Sequence, residues 1–223
     1  MRYFASQTKA PLTFSVCGQL ISKDNFLHHR RCFDQHVLIL VTEGTLHITT
    51  DAVPYTVNPG EYIFLKAGEE HFGHKPSSGK LSYLWVHFTA DTGFSTLKNS
   101  SIPEDPSLFS YLFCEYGKTA PAKRIPLLFR QLMDLSMEES LYTPAILNYS
   151  VSLLLMELSQ ECISMQDDWG KQIPYVISSA ADWIKANYYR PFSVTELADE
   201  LGYTITATKK ADIIAEFLAQ QEG

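Results

Sequence analysis

All seven histidines of this chain, His28, His29, His36, His47, His71, His74 and His87, fall between positions 28 and 87. Imidazoles gathered in one region are the raw material of a metal centre, which needs three or four of them, or carboxylates, turned inward at one end of a fold. No nucleophile with a base beside it can be read: serines are plentiful, but none stands in a G-x-S-x-G or comparable context. No catalytic residue is therefore assigned. The four cysteines, Cys17, Cys32, Cys114 and Cys162, are widely spaced with no C-x-x-C, which indicates neither a zinc site nor a disulfide framework. A different chemistry stands near the other end, where Pro191 to Tyr203 reads as the first helix and turn of a DNA-binding helix-turn-helix. Thr195 or Ser193 can cap that helix; Val194, Leu197, Ala198 and Leu201 share one face, and Gly202 supplies the left-handed turn that ends it.

The elements that must position the histidines are strands. Between Val37 and Phe88 short β segments alternate with turn chemistry, the pattern of an antiparallel sandwich or barrel. Val37 to Thr42 reads as a buried strand, Glu43-Gly44-Thr45 as a tight turn, and Leu46, Ile48 and Thr49 as the return. Val53 to Val57 is a further strand, closed by Asn58-Pro59-Gly60 and followed by Tyr62 to Leu65. From Leu81 to Thr89, Leu81, Tyr83, Trp85 and His87 alternate with Ser82, Leu84, Val86 and Phe88, and both sets are largely apolar. Such a strand is covered on both faces. The arm Met1 to Pro11 shows no periodicity.

From Pro106 onward the β pattern gives way to helical spacing. Ile125, Leu128, Phe129, Leu132, Met133, Leu135 and Met137 predict a helix after Pro121, and a longer one begins near Thr143-Pro144. The apolar set of the second helix, Ile146, Leu147, Val151, Leu153 to Met156, Leu158 and Ile163, covers more than one face, so it must be buried on two sides. One side can pack on the barrel and the other on a second copy, giving a homodimer; the alternative is that both complete the monomer core. Asp167 to Lys171 reads as a linker, after which Tyr175, Val176, Ala180, Ile184 and Tyr188 follow one helix that Pro191 ends. The expected organisation is a sensor barrel with its arm over 1–105, helices over 106–166, a linker over 167–173 and a partial helix-turn-helix over 174–223.

Two resemblances sharpen this outline. The spacing Gly60, five residues, Lys66-Ala67-Gly68, two residues, His71 resembles the second cupin motif, with Lys66 where the motif has Pro and Lys75 where it has Asn. The first cupin motif is a poorer match. Val37 stands where metal-binding cupins place a carboxylate, and the paired-histidine positions fall near Arg30, Arg31, Cys32 and Phe33, with His28, His29 and His36 out of register. Only His71 stays in register, so no metal ligand set and no cofactor are expected, and a metal-dependent cupin enzyme acting on a small carbohydrate-like molecule is the alternative function.

Barrel, paired helices and a helix ending in Leu201-Gly202-Tyr203, in that order, resemble the AraC/XylS family of bacterial transcription regulators. The likeness to the family's sensor domain covers roughly Phe14 to Ala90. It implies a mixed α+β fold, in which an N-terminal cupin-like antiparallel β-barrel is followed by dimerisation helices and a partial C-terminal helix-turn-helix. It also implies a small-molecule effector, a sugar, bound by Tyr83, Trp85, His71, Arg31, Arg30 and His29. In such a site an aromatic plane stacks on the sugar while Arg, His and Tyr bond its hydroxyls. Each has a structural alternative: Trp85 as a core aromatic, His71 as a satisfied turn histidine, Arg31 as a surface charge. The family arm can fold over the ligand, which would bring Thr13 or Phe14 near it. The DNA-binding residues implied are Thr195, Glu196, Leu197, Gly202 and Tyr203, mostly structural.

Beyond Tyr203 the resemblance stops, since Thr204 to Ala211 lacks the apolar anchors of a recognition helix and only Ile213, Ile214, Phe217 and Leu218 make a stripe. Either a truncated or substituted end or a divergent recognition helix accounts for it. Net charge over the 223 residues is −7, and from Pro174 four cations face seven anions. Phosphate neutralisation supplies most non-specific DNA affinity, so this chain alone is expected to hold operator DNA weakly or not at all. No stretch is apolar enough for a membrane span or a signal peptide, and the protein is expected to be a cytoplasmic regulator and not an enzyme.

Overall fold

Runs of β-branched and aromatic residues, buried on both sides, build the first part of the molecule. The computed structural model describes residues 2–98, 108–119, 124–164, 183–187 and 189–200. The chain divides into two units, Met1–Gln166 and Asp167–Gly223. In the first unit the strands are β1 (Arg2–Ser6), β2 (Thr13–Ser22), β3 (Arg31–Cys32), β4 (His36–Glu43), β5 (Leu46–Thr50), β6 (Val53–Val57), β7 (Glu61–Leu65), β8 (Glu70–Phe72), β9 (Leu81–Thr89), β10 (Ser95–Lys98), β11 (Tyr111–Cys114) and β12 (Tyr116–Lys118). Helices α1 (Arg124–Leu135) and α2 (Thr143–Ser164) follow. A mixed α+β fold with antiparallel sheets results, as the sequence predicts.

Three sheets form, with strand orders β12-β7-β4-β9-β2, β3-β8-β5-β6 and β10-β1-β11, and every described pairing is antiparallel. Because side chains alternate, the five-stranded sheet feeds two cores. Val37, Ile39, Ile63, Leu65, Leu81 and Tyr83 pack with Leu46, Ile48 and Val57 of the four-stranded sheet. Leu38, Leu40, Phe64, Leu84, Val86 and Phe88 turn the other way, into one core with β1, β11, α1 and α2. Strand β9 is thus covered on both faces.

Glycine is required at Gly44, whose φ is +73° and where a Cβ would stand 2.0 Å from the Lys80 carbonyl oxygen. The hairpin between β5 and β6 turns through Asp51 and Ala52, both at positive φ (47° and 62°), although neither is glycine. A turn with two left-handed residues matches the twist of the strands it joins.

The structure gives form to the arm and corrects one boundary. The N-terminal arm is a strand: β1 lies between β10 and β11, with Tyr3, Phe4 and Ala5 buried. Arg2 anchors it through Asp51 at 2.8 Å, Glu69 at 2.9 Å and Glu115 at 3.1 Å. A strand buried on both faces shows no alternation, which is why it reads as irregular. The β structure also passes residue 105, since β11 and β12 lie at 111–118 and pair with β1 and β7.

Helix α2 docks partly through polar groups. Ser152 Oγ accepts from the Leu12 amide at 2.8 Å, Asn148 Oδ1 from the Phe14 amide at 2.9 Å, and Ser159 Oγ from the Leu112 amide at 3.1 Å. Its apolar inner face is Leu147, Val151, Leu154, Leu155, Leu158 and Cys162, and Cys162 Sγ lies 2.9 Å from Cys114 Sγ of β11. Tyr142, Ile146, Tyr149, Leu153 and Met156 are left exposed. No described helix is long and apolar enough to cross a membrane.

In the second unit residues 183–187 are helical and α3 spans Val194–Glu200. Ser193 Oγ accepts the Glu196 amide at 3.1 Å, so Ser193, not Thr195, caps the helix. Leu197 is buried against Trp183 and Ile184, and Arg190 pairs with Glu196 at 2.6 Å. Gly202, Tyr203 and the 204–223 end lie outside the described residues.

Candidate ligand pocket

The alternation of β9 decides where the pocket forms. Tyr83, Trp85 and His87 point between the five-stranded and four-stranded sheets, where a cavity of about 340 Å³ opens. Val37 and Ile39 of β4, Leu65 of β7 and Leu20 of β2 form its apolar floor. Arg31 of β3 and His71 of β8, paired in register, supply its polar wall, and the 23–30 loop adds Phe26, His28 and His29. The volume suits a small molecule.

Of the six residues singled out in the sequence, five meet here: Tyr83, Trp85, His71, Arg31 and His29. Arg30 does not. Its guanidinium lies 3.9 Å from the Phe72 ring centre and pairs with Glu70, so neighbouring arginines on an extended segment serve opposite sides. His71 is a wall residue of β8, 2% exposed, not a turn histidine. Sequence reasoning missed His28, His87, Phe26 and Phe33. His87 could have been found, since it shares the parity of Tyr83 and Trp85; His28 arrives on a loop and carries no such signal.

The aromatics pack mutually. Phe33 sits 5.7 Å from His71 and 4.9 Å from His87, Phe26 lies 6.0 Å from Tyr83, and His28 is 5.4 Å from His71, all between ring centres. Trp85 crosses the backbone of β2 at Gly18, where a Cβ would stand 2.8 Å from its Cζ2. Glycine there lets the indole lie flat against the strand.

Desolvation dominates the electrostatics. It pushes His28 down to about 4, outweighing the bond that its Nδ1 donates to the His29 carbonyl, and lowers His71 and His87 with help from the Arg31 charge. Burial raises Tyr83 to about 12, against the pull of Arg31. Around neutral pH these three imidazoles and the phenol are uncharged. His71 Nε2 is buried without a hydrogen-bond partner.

The residues do not fit a metal of the cupin kind. Val37, which the sequence spacing sets where metal-binding cupins place a carboxylate, is part of the apolar floor, and among the described residues no group of three or more His, Cys, Asp or Glu side chains could hold an ion.

Residues 13–155 match the family model described as the AraC-like ligand binding domain. The chain belongs to this family. The AraC-like domain contains every strand that shapes the pocket, together with α1 and most of α2. A relative in Bacillus subtilis (strain 168), named an uncharacterized HTH-type transcriptional regulator YisR, is 28% identical over 201 residues, covering 85% of this chain and 68% of that one. Among solved structures, an RmlC-like cupin from Shewanella frigidimarina shares 13% identity over 35% of this chain and 67% of its own, with a TM-score of 0.31. The Cnp3 cupin domain of Schizosaccharomyces pombe shares 11% over 39% and 67%, with a TM-score of 0.31. The AraC-like domain also carries a second cavity of about 420 Å³, where Thr13 and Phe14 meet Glu138, Glu139 and the start of α2. Thr13 and Phe14, expected near the ligand if the arm folds over it, line this cavity on the helix side and not the pocket of Tyr83 and Trp85.

Proposed function

We propose that the chain is the sensing part of a bacterial transcription regulator that responds to a carbohydrate effector. The observation that carries this reading is the pocket of the AraC-like domain, in which Trp85 and Tyr83 stand beside histidines and one arginine. Aromatic faces stack on the apolar face of a pyranose, and the surrounding donors and acceptors bond its hydroxyls. The alternative, a metal-dependent cupin enzyme, lacks a donor set among the described residues. The test is a thermal-shift screen against neutral and acidic mono- and oligosaccharides, because a ligand that binds only the folded state raises apparent stability. A saturable shift that Trp85→Ala abolishes supports the reading. No shift with any carbohydrate, beside a shift with a divalent metal, overturns it.

The regulator acts as a homodimer in the cytoplasm, its barrel-like sensor preceding the DNA-reading unit in the chain. Support for dimerisation lies on α2, where Ile146, Tyr149, Leu153 and Met156, continuing from Tyr142 just before the helix, are 40–69% exposed and spaced by four, three, four and three residues. That spacing keeps one seam facing a partner helix. Leu153→Glu is expected to leave the fold intact and dissociate the pair; a light-scattering mass near 25.2 kDa for the unmodified chain would refute it. Operator recognition belongs to the unit containing α3, which carries Thr195, Glu196 and Leu197; Gly202 and Tyr203 lie outside the described residues. The excess of acids after Pro174 makes operator binding by this chain alone weak.

A further inference from the structure

Arg30 and Arg31 are neighbours with unlike fates. The Arg30 charge is matched by Glu70 outside the pocket. Arg31 stands in the pocket wall, its guanidinium carbon 5.6 Å from the Phe33 ring centre, and no ion pair among the described residues involves it. Among the described residues no aspartate or glutamate lines the cavity. His28, His71 and His87 are held uncharged around neutral pH by burial, so Arg31 is a positive charge in the wall that no lining carboxylate among the described residues balances. His71 adds an independent sign of a ligand: the residue is 2% exposed, and its Nε2 is buried in the same wall without a partner. A buried polar atom left unpaired is costly, and a bound group that completes it recovers that cost.

We infer that the effector is an acidic carbohydrate, a sugar ring that stacks on Trp85 and carries a carboxylate or phosphate group on Arg31, with a hydroxyl or anionic oxygen completing His71 Nε2. This rests on the carbohydrate-sensing reading above. A planar guanidinium takes a carboxylate or a phosphate through two parallel N–H···O bonds, which a neutral hydroxyl cannot match. The pocket repels cationic amino sugars and lacks the acidic side chains that would hold them. It therefore discriminates by charge at Arg31 and by shape at Trp85.

The experiment compares affinities of the full chain for glucuronate, galacturonate and glucose 6-phosphate with those for glucose and galactose, by titration calorimetry at low and high salt. Arg31→Gln and Arg30→Gln are measured beside the unmodified protein. An acidic sugar is expected to bind more tightly than its neutral counterpart, to weaken with salt, and to lose about tenfold to a hundredfold in affinity in Arg31→Gln. Arg30→Gln is expected to bind as the unmodified chain does. Preference for the uronates or for the sugar phosphate identifies which anion is read. Neutral sugars binding as well as acidic ones, or Arg31→Gln and Arg30→Gln behaving alike, overturns the charge inference and leaves carbohydrate sensing standing. Binding by none of the five sugars overturns the charge inference, while the wider screen decides carbohydrate sensing itself. Equal melting temperatures of the ligand-free proteins show that the variants fold.

Discussion

Lowering pH from 7.5 to 5 is expected to destabilise the sensor unit through His36 in particular. This residue is 5% exposed, stacks on Phe64 at 5.4 Å between ring centres, and touches the rings of Phe88 and Phe94. Its Nδ1 accepts the Ala67 amide at 3.0 Å, which places the proton of the neutral ring on Nε2. Desolvation, aided by the Lys66 charge, holds its folded pKa near 4, against 6.5 in the open chain. Between those values the unfolded chain binds more protons, so stability is full above about pH 6.5 and falls as pH drops toward 4. At pH 5 the difference amounts to about 2 kcal/mol, and its limit at lower pH is about 3 kcal/mol. Urea unfolding followed by far-ultraviolet circular dichroism at both pH values, for the unmodified protein and for His36→Gln, isolates the contribution. Glutamine keeps an acceptor and cannot titrate, so its stability should decline by about 2 kcal/mol less over the same interval. Parallel declines, or a His36 ring resonance titrating near pH 6.5, would refute the reasoning.

Ala52→Gly is expected to raise stability by about 1 kcal/mol in the same unfolding assay, because the left-handed backbone that Ala52 adopts costs an L-residue more than it costs glycine. Gly18→Ala should displace the Trp85 indole and weaken carbohydrate binding at least tenfold, with a blue or red shift of Trp emission reporting the movement; unchanged affinity would show that Trp85 does not stack on the ligand. Phe129→Ala empties a fully buried position between α1 and the core and should cost about 3–5 kcal/mol in chemical denaturation.

The sequence carries the middle of the fold well and its margins poorly, for one reason. Strands with a turn on each side, such as β4 to β7, declare themselves through Gly44 and Asn58-Pro59-Gly60, and β9 through two interleaved apolar sets. Strand β1 and strand β11 have no contrast between faces, since Tyr3 to Ala5 and Tyr111 to Cys114 are buried throughout. A short apolar run of that kind fits a buried strand or a piece of helix equally well. The pocket divides the same way. Tyr83 and Trp85 were readable from strand parity joined to the family likeness, and His71 from its motif, whereas choosing Arg31 over Arg30 needs the register of β3 against β8. His28 depends on a loop path that no periodicity encodes.

Strand β9 has no face turned to water, and this confines how the protein can change. Nine consecutive residues hold two interleaved alphabets: the odd positions 83, 85 and 87 line the pocket, and the even positions 84, 86 and 88 belong to the core shared with α1 and α2. A new specificity can be written in the first alphabet without respelling the second, so a library restricted to the odd positions should stay folded. An insertion or deletion of one residue would exchange the alphabets, setting His87 and Trp85 into the helical core and Phe88 into the pocket. Drift in effector choice within this architecture should therefore proceed by substitution along β9, while changes of length collect in the turns that bound it.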